Sequence, residues 1–158
     1  MVDFFRLIIF VITSVFFIRT VLIISGKLKG PILRQFEHYG PDEFFYQPLP
    51  AFLGWFGAFM VALGGLLNAT SIFMPISILF WIVATIIWTM PELSTKYPQI
   101  LLRYPLWLTE IQQRTERYER RRMAYMWLRL SRRLRRTYNS NDTAFREWAD
   151  FIILGTFR

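Results

Sequence analysis

From Phe44 to Pro91 no side chain carries a charge. Ala51–Leu67 is apolar throughout, the cluster Asn68-Ala69-Thr70-Ser71 interrupts it, and Ile72–Met90 is again almost wholly apolar. A spanning helix takes about 20 apolar residues to cross about 30 Å of hydrocarbon, so this stretch is too long for one helix and suits two. In lipid an unpaired peptide group leaves only helices or closed barrels, and nothing here alternates with period two. The pattern therefore predicts spans over 51–68 and 72–90, antiparallel because the connection is short: a two-helix transmembrane hairpin. Pro75 is expected in the first turn of the second helix, where a missing N–H costs little, and Pro91 ends it.

An earlier apolar segment, residues 4–25, is long enough for a third span, although Arg19 interrupts it. Arg19 lies about six residues, roughly 9 Å, from the segment's end, within reach of a snorkelling side chain. A helix lying flat in the interface competes with this reading. Its polar face would be thin, since only Arg6, Thr13, Arg19 and Thr20 could form it. No small-x-small cleavage site follows the segment, so it reads as retained rather than as a signal peptide. It is apolar rather than rich in Arg and Ser, which argues against a mitochondrial presequence.

The predicted architecture is an all-α membrane protein. Residues 1–91 form a membrane domain with the loop 26–50, and residues 92–158 form a basic helical tail. The loop holds Gly30-Pro31, Gly40-Pro41, Pro48 and Pro50, turn signals around one helical stretch at 32–39. Between Leu106 and Arg136 there is no Pro or Gly. Apolar residues recur there near period 3.6, at Leu108, Ile111, Tyr118, Met123, Met126/Trp127, Leu130 and Leu134, with a gap at Thr115. This predicts one long amphipathic helix, broken near 138–142, where Asn141 or Asp142 is the expected N-cap. A last helix would place Phe145, Trp148, Phe151 and Ile152 on one face.

Charge follows the same division. Residues 1–91 carry a net +1 and residues 92–158 a net +7, and sixteen of the nineteen basic residues are Arg. Arg grips phosphate and carboxylate with two parallel bonds, which points to lipid headgroups or an acidic protein face. With three spans, the loop (Lys27, Lys29, Arg34) and the tail share one side, and the positive-inside rule assigns that side to the cytoplasm or matrix of an inner membrane. Arg114, Arg117, Arg121, Arg122, Arg129, Arg132, Arg133 and Arg136 are the expected lipid- or partner-binding set. Nucleic acid is not an expected partner, because the tail's aromatic residues keep to the apolar face instead of interleaving as stacking platforms. In the first hairpin helix, Gly54, Ala58 and Ala62 recur every four residues, with Gly57, Gly64 and Gly65 nearby. Small residues at that spacing let another helix approach closely, the hairpin partner being the first expected neighbour.

Candidate chemistry is sparse. The chain has no Cys, which excludes disulfides, thiolate metal sites and Fe–S clusters. His38 is the only His and lies in the polar loop, so no bis-His haem can form. Every Asp and Glu lies outside the apolar runs, which argues against a stand-alone pump. Arg19 either snorkels or pairs with a group on a neighbouring subunit. Glu116 and Glu119, among Arg114, Arg117 and Arg120–Arg122, read as helix-surface ion pairs. No cofactor, metal or catalytic residue is predicted. No family signature covers the chain residue by residue. By class alone, small chains with a few spans, no cofactor ligands and a basic surface helix resemble accessory subunits of respiratory or photosynthetic electron-transfer complexes. The expectation is a non-catalytic accessory subunit packed against other membrane subunits. An independent protein that binds anionic lipid and self-associates is the alternative, and an enzyme or transporter of unknown type carries the least weight.

Overall fold

The structure is a computed structural model that describes residues 4–36, 47–90, 96 and 104–155. Among these residues every regular element is a helix. Helices α1 (Phe4–Ile24), α2 (Gly30–Gln35), α3 (Pro48–Leu66) and α4 (Thr70–Thr89) are followed by α5 (Leu106–Arg114), α6 (Arg117–Arg129), α7 (Arg132–Ser140) and α8 (Asp142–Leu154). α1, α3 and α4 are each long and apolar enough to cross a membrane. The chain divides into two compact units. One comprises Met1–Ile24 and Gln47–Arg103; the other comprises Ser25–Tyr46 and Tyr104–Arg158. Chain order puts residues 26–50 beside the apolar half, whereas packing groups Ser25–Tyr46 with the tail.

In the first unit α3 is central, packed against α1 on one face and α4 on another. It begins earlier than the Pro-rich sequence suggests. Pro48 and Pro50 occupy its first turn, where the N–H groups have no intrahelical partner and Pro is preorganised for helix. Its end is a Schellman turn: Asn68 is left-handed (φ 54°) and the Ala69 N–H donates to the Gly64 carbonyl at 2.8 Å. α4 therefore starts at Thr70, two residues before the expected boundary. That leaves Pro75 in the helix interior rather than in its first turn, so one intrahelical bond is lost.

The second unit corrects the expectation of a continuous helix over 106–136: three helices replace it. Thr115 is buried, and its hydroxyl donates to the Ile111 carbonyl at 2.6 Å, closing α5. α6 then opens on a capping box in which Glu116 and Glu119 satisfy each other's backbone N–H groups. These two carboxylates thus cap a helix start, a task the ion-pair reading of them did not include. Leu130 and Ser131 break the chain again, and the Ser131 hydroxyl caps α7 by accepting from the Leu134 N–H. Asn141 caps α8 in the same way through the Ala144 N–H. The breaks let the short helices fold around an apolar core instead of extending along a surface. Ile32, Leu33 and Phe36 meet Trp107, Leu108, Ile111, Met123, Trp127, Phe145 and Ile152 as the buried side chains of this unit.

Candidate functional site

Three surfaces carry the residues singled out by the sequence. The first is α3. Its positions at α-helical spacing divide into three faces. Phe52, Trp55, Phe56 and Phe59 face α1: Phe16 stacks on Trp55 with centroids 4.3 Å apart, and Phe17 lies 5.2–5.6 Å from Phe52, Phe56 and Phe59. Gly57 and Gly64 face α4. A Cβ on Gly57 would lie 2.7 Å from the Trp81 indole nitrogen and 3.2 Å from the Ser77 carbonyl, and one on Gly64 would lie 2.8 Å from the Phe73 Cβ. The two helices come together because those positions lack side chains. The Trp81 N–H also donates to the Gly54 carbonyl at 3.0 Å.

Gly54, Ala58 and Gly65 share the third face. A Cβ added at Gly54 or Gly65 meets nothing within 4 Å, and Ala58 is half-buried. Ala62, the last residue of the predicted set, is buried. So the small residues serve different purposes: Gly57 and Gly64 seat α4, whereas Gly54 and Gly65 stand open. The aromatic seam to α1 was invisible in the sequence, because a Phe at helical spacing in an apolar run reads equally as lipid-facing.

Polar ties mark the ends of these helices. Arg6 donates to the Asn68 side-chain oxygen at 2.7 Å and to the Gly65 carbonyl at 3.2 Å, so the start of α1 meets the α3–α4 turn. Arg19 is exposed on α1, with no partner among the described residues.

The second surface is the basic tail. Arg114, Arg117, Arg129, Arg132, Arg133 and Arg136 are exposed, and Arg121 and Arg122 are half-buried. Arg129 donates to the Tyr125 hydroxyl and lies over its ring, 4.2 Å from the centroid. Two arginines outside the predicted set serve structure: Arg120 donates to the Thr115 carbonyl across the α5–α6 break, and Arg135 donates to the Leu130 carbonyl at 3.0 Å across the next. The apolar face expected on the last helix is only partly displayed. Phe145 and Ile152 are buried and Trp148 is half-buried, while Phe151 remains exposed.

The third feature is a clasp that the sequence did not announce. Lys29, counted among the basic residues of the loop, is completely buried. Its ammonium pairs with Asp142 at 2.6 Å, donates to the Asn139 carbonyl at 3.4 Å and lies 5.0 Å from the centre of the Phe145 ring. Its backbone N–H donates to the Asn139 side chain at 3.0 Å. A buried ammonium is tolerated only where it is paired and hydrogen-bonded, and all three contacts serve that need. The clasp joins the segment after α1 to the α7–α8 junction. Gly26 nearby is left-handed (φ 76°), and a Cβ there would press on Trp107 at 3.2 Å. Tyr104 is also in this unit; burial pushes its phenol up to about 12.

Among the described residues no three His, Cys, Asp or Glu side chains gather in a metal-binding arrangement. His38 lies outside the described residues. A shallow cleft lined by Trp107, Glu110, Arg114, Phe145, Arg146 and Asp150 carries charges of both signs, with Arg146 bridged to Glu110 at 2.9 Å. No family model, curated protein or solved structure matches this chain.

Proposed function

We propose that this chain is a three-pass membrane protein that acts by packing, as a non-catalytic accessory subunit of a larger membrane complex. In this reading α3 and α4 form a transmembrane hairpin, α1 is a true span, and the basic tail unit sits with the loop on the cytoplasmic or matrix side of an inner membrane.

Two polar ties support the topology. The Arg6–Asn68 contact needs the start of α1 and the α3–α4 turn at one end, which antiparallel crossings of α1 and α3 supply. The Lys29–Asp142 pair needs an even number of crossings between those residues, and α3 and α4 supply two. The pattern of basic residues then orients the protein.

The open Gly54–Ala58–Gly65 face carries the functional reading. Membrane helices associate by close packing at small residues, and a Cβ at Gly54 or Gly65 meets no atom of α1 or α4 within 4 Å. A helix of another subunit fits it. Anionic lipids are the second partner, held by the exposed arginines of the tail. The electron-transfer setting rests on class resemblance alone, and redox spectra of the isolated complex decide it.

The test is gentle detergent extraction followed by native electrophoresis of the wild type and of Gly54→Leu and Gly65→Leu. Co-migration of the wild type with a large hetero-complex, lost in the variants while each chain stays folded, is the expected result. A wild-type chain that runs alone or as a small homo-oligomer rejects the subunit reading.

A further inference from the structure

We propose that one face of α7, formed by Arg132, Arg133 and Arg136, is a docking site for the headgroups of anionic phospholipids in the membrane that α1 crosses; this rests on the spanning reading above. α7 has no buried residue, and its helical spacing separates two faces. Tyr138 stacks on Trp148 with centroids 5.6 Å apart and also approaches Trp127, so the Tyr138 side turns toward the core of the tail unit. Arg132, Arg133 and Arg136 fall within about 100° of one another on the opposite side, at 100° per residue, and all three are exposed. Between Glu119 and Asp142 the sequence holds no acidic residue, so nothing on α6 or α7 beyond Glu119 neutralises this face.

Chain length says what the face meets. Lys29 is fixed to Asn139 and Asp142 at the far end of α7. Only five steps of chain, about 18 Å of backbone when fully extended, separate Lys29 from Ile24, the last residue of α1. The leaflet's field acts over about one Debye length, about 8 Å at physiological salt, so docking brings the arginine face to within that distance of the headgroups. Guanidinium groups bond phosphate oxygens in pairs, which suits a lipid phosphodiester. Each arginine near an anionic leaflet biases docking about fivefold, so the three together bias it roughly a hundredfold.

The chain lacks Cys, so one introduced thiol carries a spin label without background. Ser140 is exposed and lies on the arginine face, which makes Ser140→Cys the reporter. The full chain is reconstituted into nanodiscs of phosphatidylcholine alone, or with about a third phosphatidylglycerol. In the anionic discs the label becomes shielded from a water-soluble nickel relaxant. Molar salt reverses the effect, and so does Arg132→Gln/Arg133→Gln/Arg136→Gln. Equal accessibility in both discs overturns the proposal, as does shielding that survives the triple substitution. The same comparison on chains otherwise wild type, scoring phosphatidylglycerol retained through purification, must fall in the triple variant; unchanged retention also overturns it. Leu79→Cys, exposed on α4, serves as the control. If its label is open to water in every disc, the spanning reading itself has failed.

Discussion

Phe4, Phe5, Ile72, Leu79 and Trp88 stand on the outer surfaces of α1 and α4, whereas Trp107, Trp127 and Phe145 of the tail unit are sealed inside it. The two units place their large side chains in opposite ways, which the proposed function attributes to different solvents. In water, burying apolar surface drives folding, and the tail unit packs its aromatic rings against one another, with Phe145 beside the buried Lys29. Lipid gives no such drive between helices, so the membrane unit gains from contact alone, through glycines that admit α4 and rings that interlock with α1. The same residue type therefore means different things in the two units. A tryptophan is core in α6 and outer surface in α4.

The largest test of this contrast is a pair of tryptophan truncations. Trp127→Ala is expected to cost about 3–5 kcal/mol and to lose the near-ultraviolet circular dichroism of the tail. Trp88→Ala, at a site 70% exposed, should change the thermal midpoint in detergent by no more than about 0.5 kcal/mol equivalent. Next is a pair of glycines. Gly57→Leu drives a side chain into Trp81 and Ser77 and should cost about 2–3 kcal/mol in detergent unfolding, whereas Gly54→Leu meets open space and should cost about 0.5 kcal/mol or less.

The lysine clasp comes third. Lys29→Ala removes the buried ion pair with Asp142 and the hydrogen bond to the Asn139 carbonyl, and should cost about 2 kcal/mol by chemical denaturation. Asp142→Asn should cost about 0.5–1 kcal/mol, because the carboxylate is 67% exposed and water screens it. The smallest effect is the titration of Tyr104. Its phenol is held protonated up to about 12 against 10 in the unfolded chain, so the unfolded state loses that proton first. The resulting stability is present below pH 10 and lost as pH rises toward 12. Ultraviolet titration should show one tyrosine ionising late, and Tyr104→Phe should remove that step.

Much of the membrane unit was legible in the residues themselves, because hydropathy reports which segments can live in lipid. The expected spans over 4–25, 51–68 and 72–90 fall on α1, α3 and α4, with the start at residue 4 matched and the other ends displaced by one to three residues. The displaced ends have local causes. Pro48 and Pro50 look like loop residues until they are seen as a helix's first turn, and Asn68 takes the left-handed conformation that frees Thr70 to begin α4. The tail was read less well. Apolar periodicity runs through Thr115 and Leu130 without Pro or Gly, so the breaks showed only in the caps Glu116…Glu119 and Ser131, which periodicity does not weigh. The burial of Lys29 was not legible, because burial of a charge depends on partners more than a hundred residues away. The small-residue stripe was visible, but which glycines α4 fills depends on the register between α3 and α4.

Single-cysteine accessibility tests the central claim most directly. Leu67→Cys places a thiol on the exposed α3–α4 turn, and Thr143→Cys places one on the exposed start of α8. Both are treated with a membrane-impermeant maleimide in sealed vesicles of each orientation. Three crossings predict opposite labelling: the Thr143→Cys thiol reacts only from the cytoplasmic or matrix side, and the Leu67→Cys thiol only from the other. Labelling of both thiols from the same side would contradict the account.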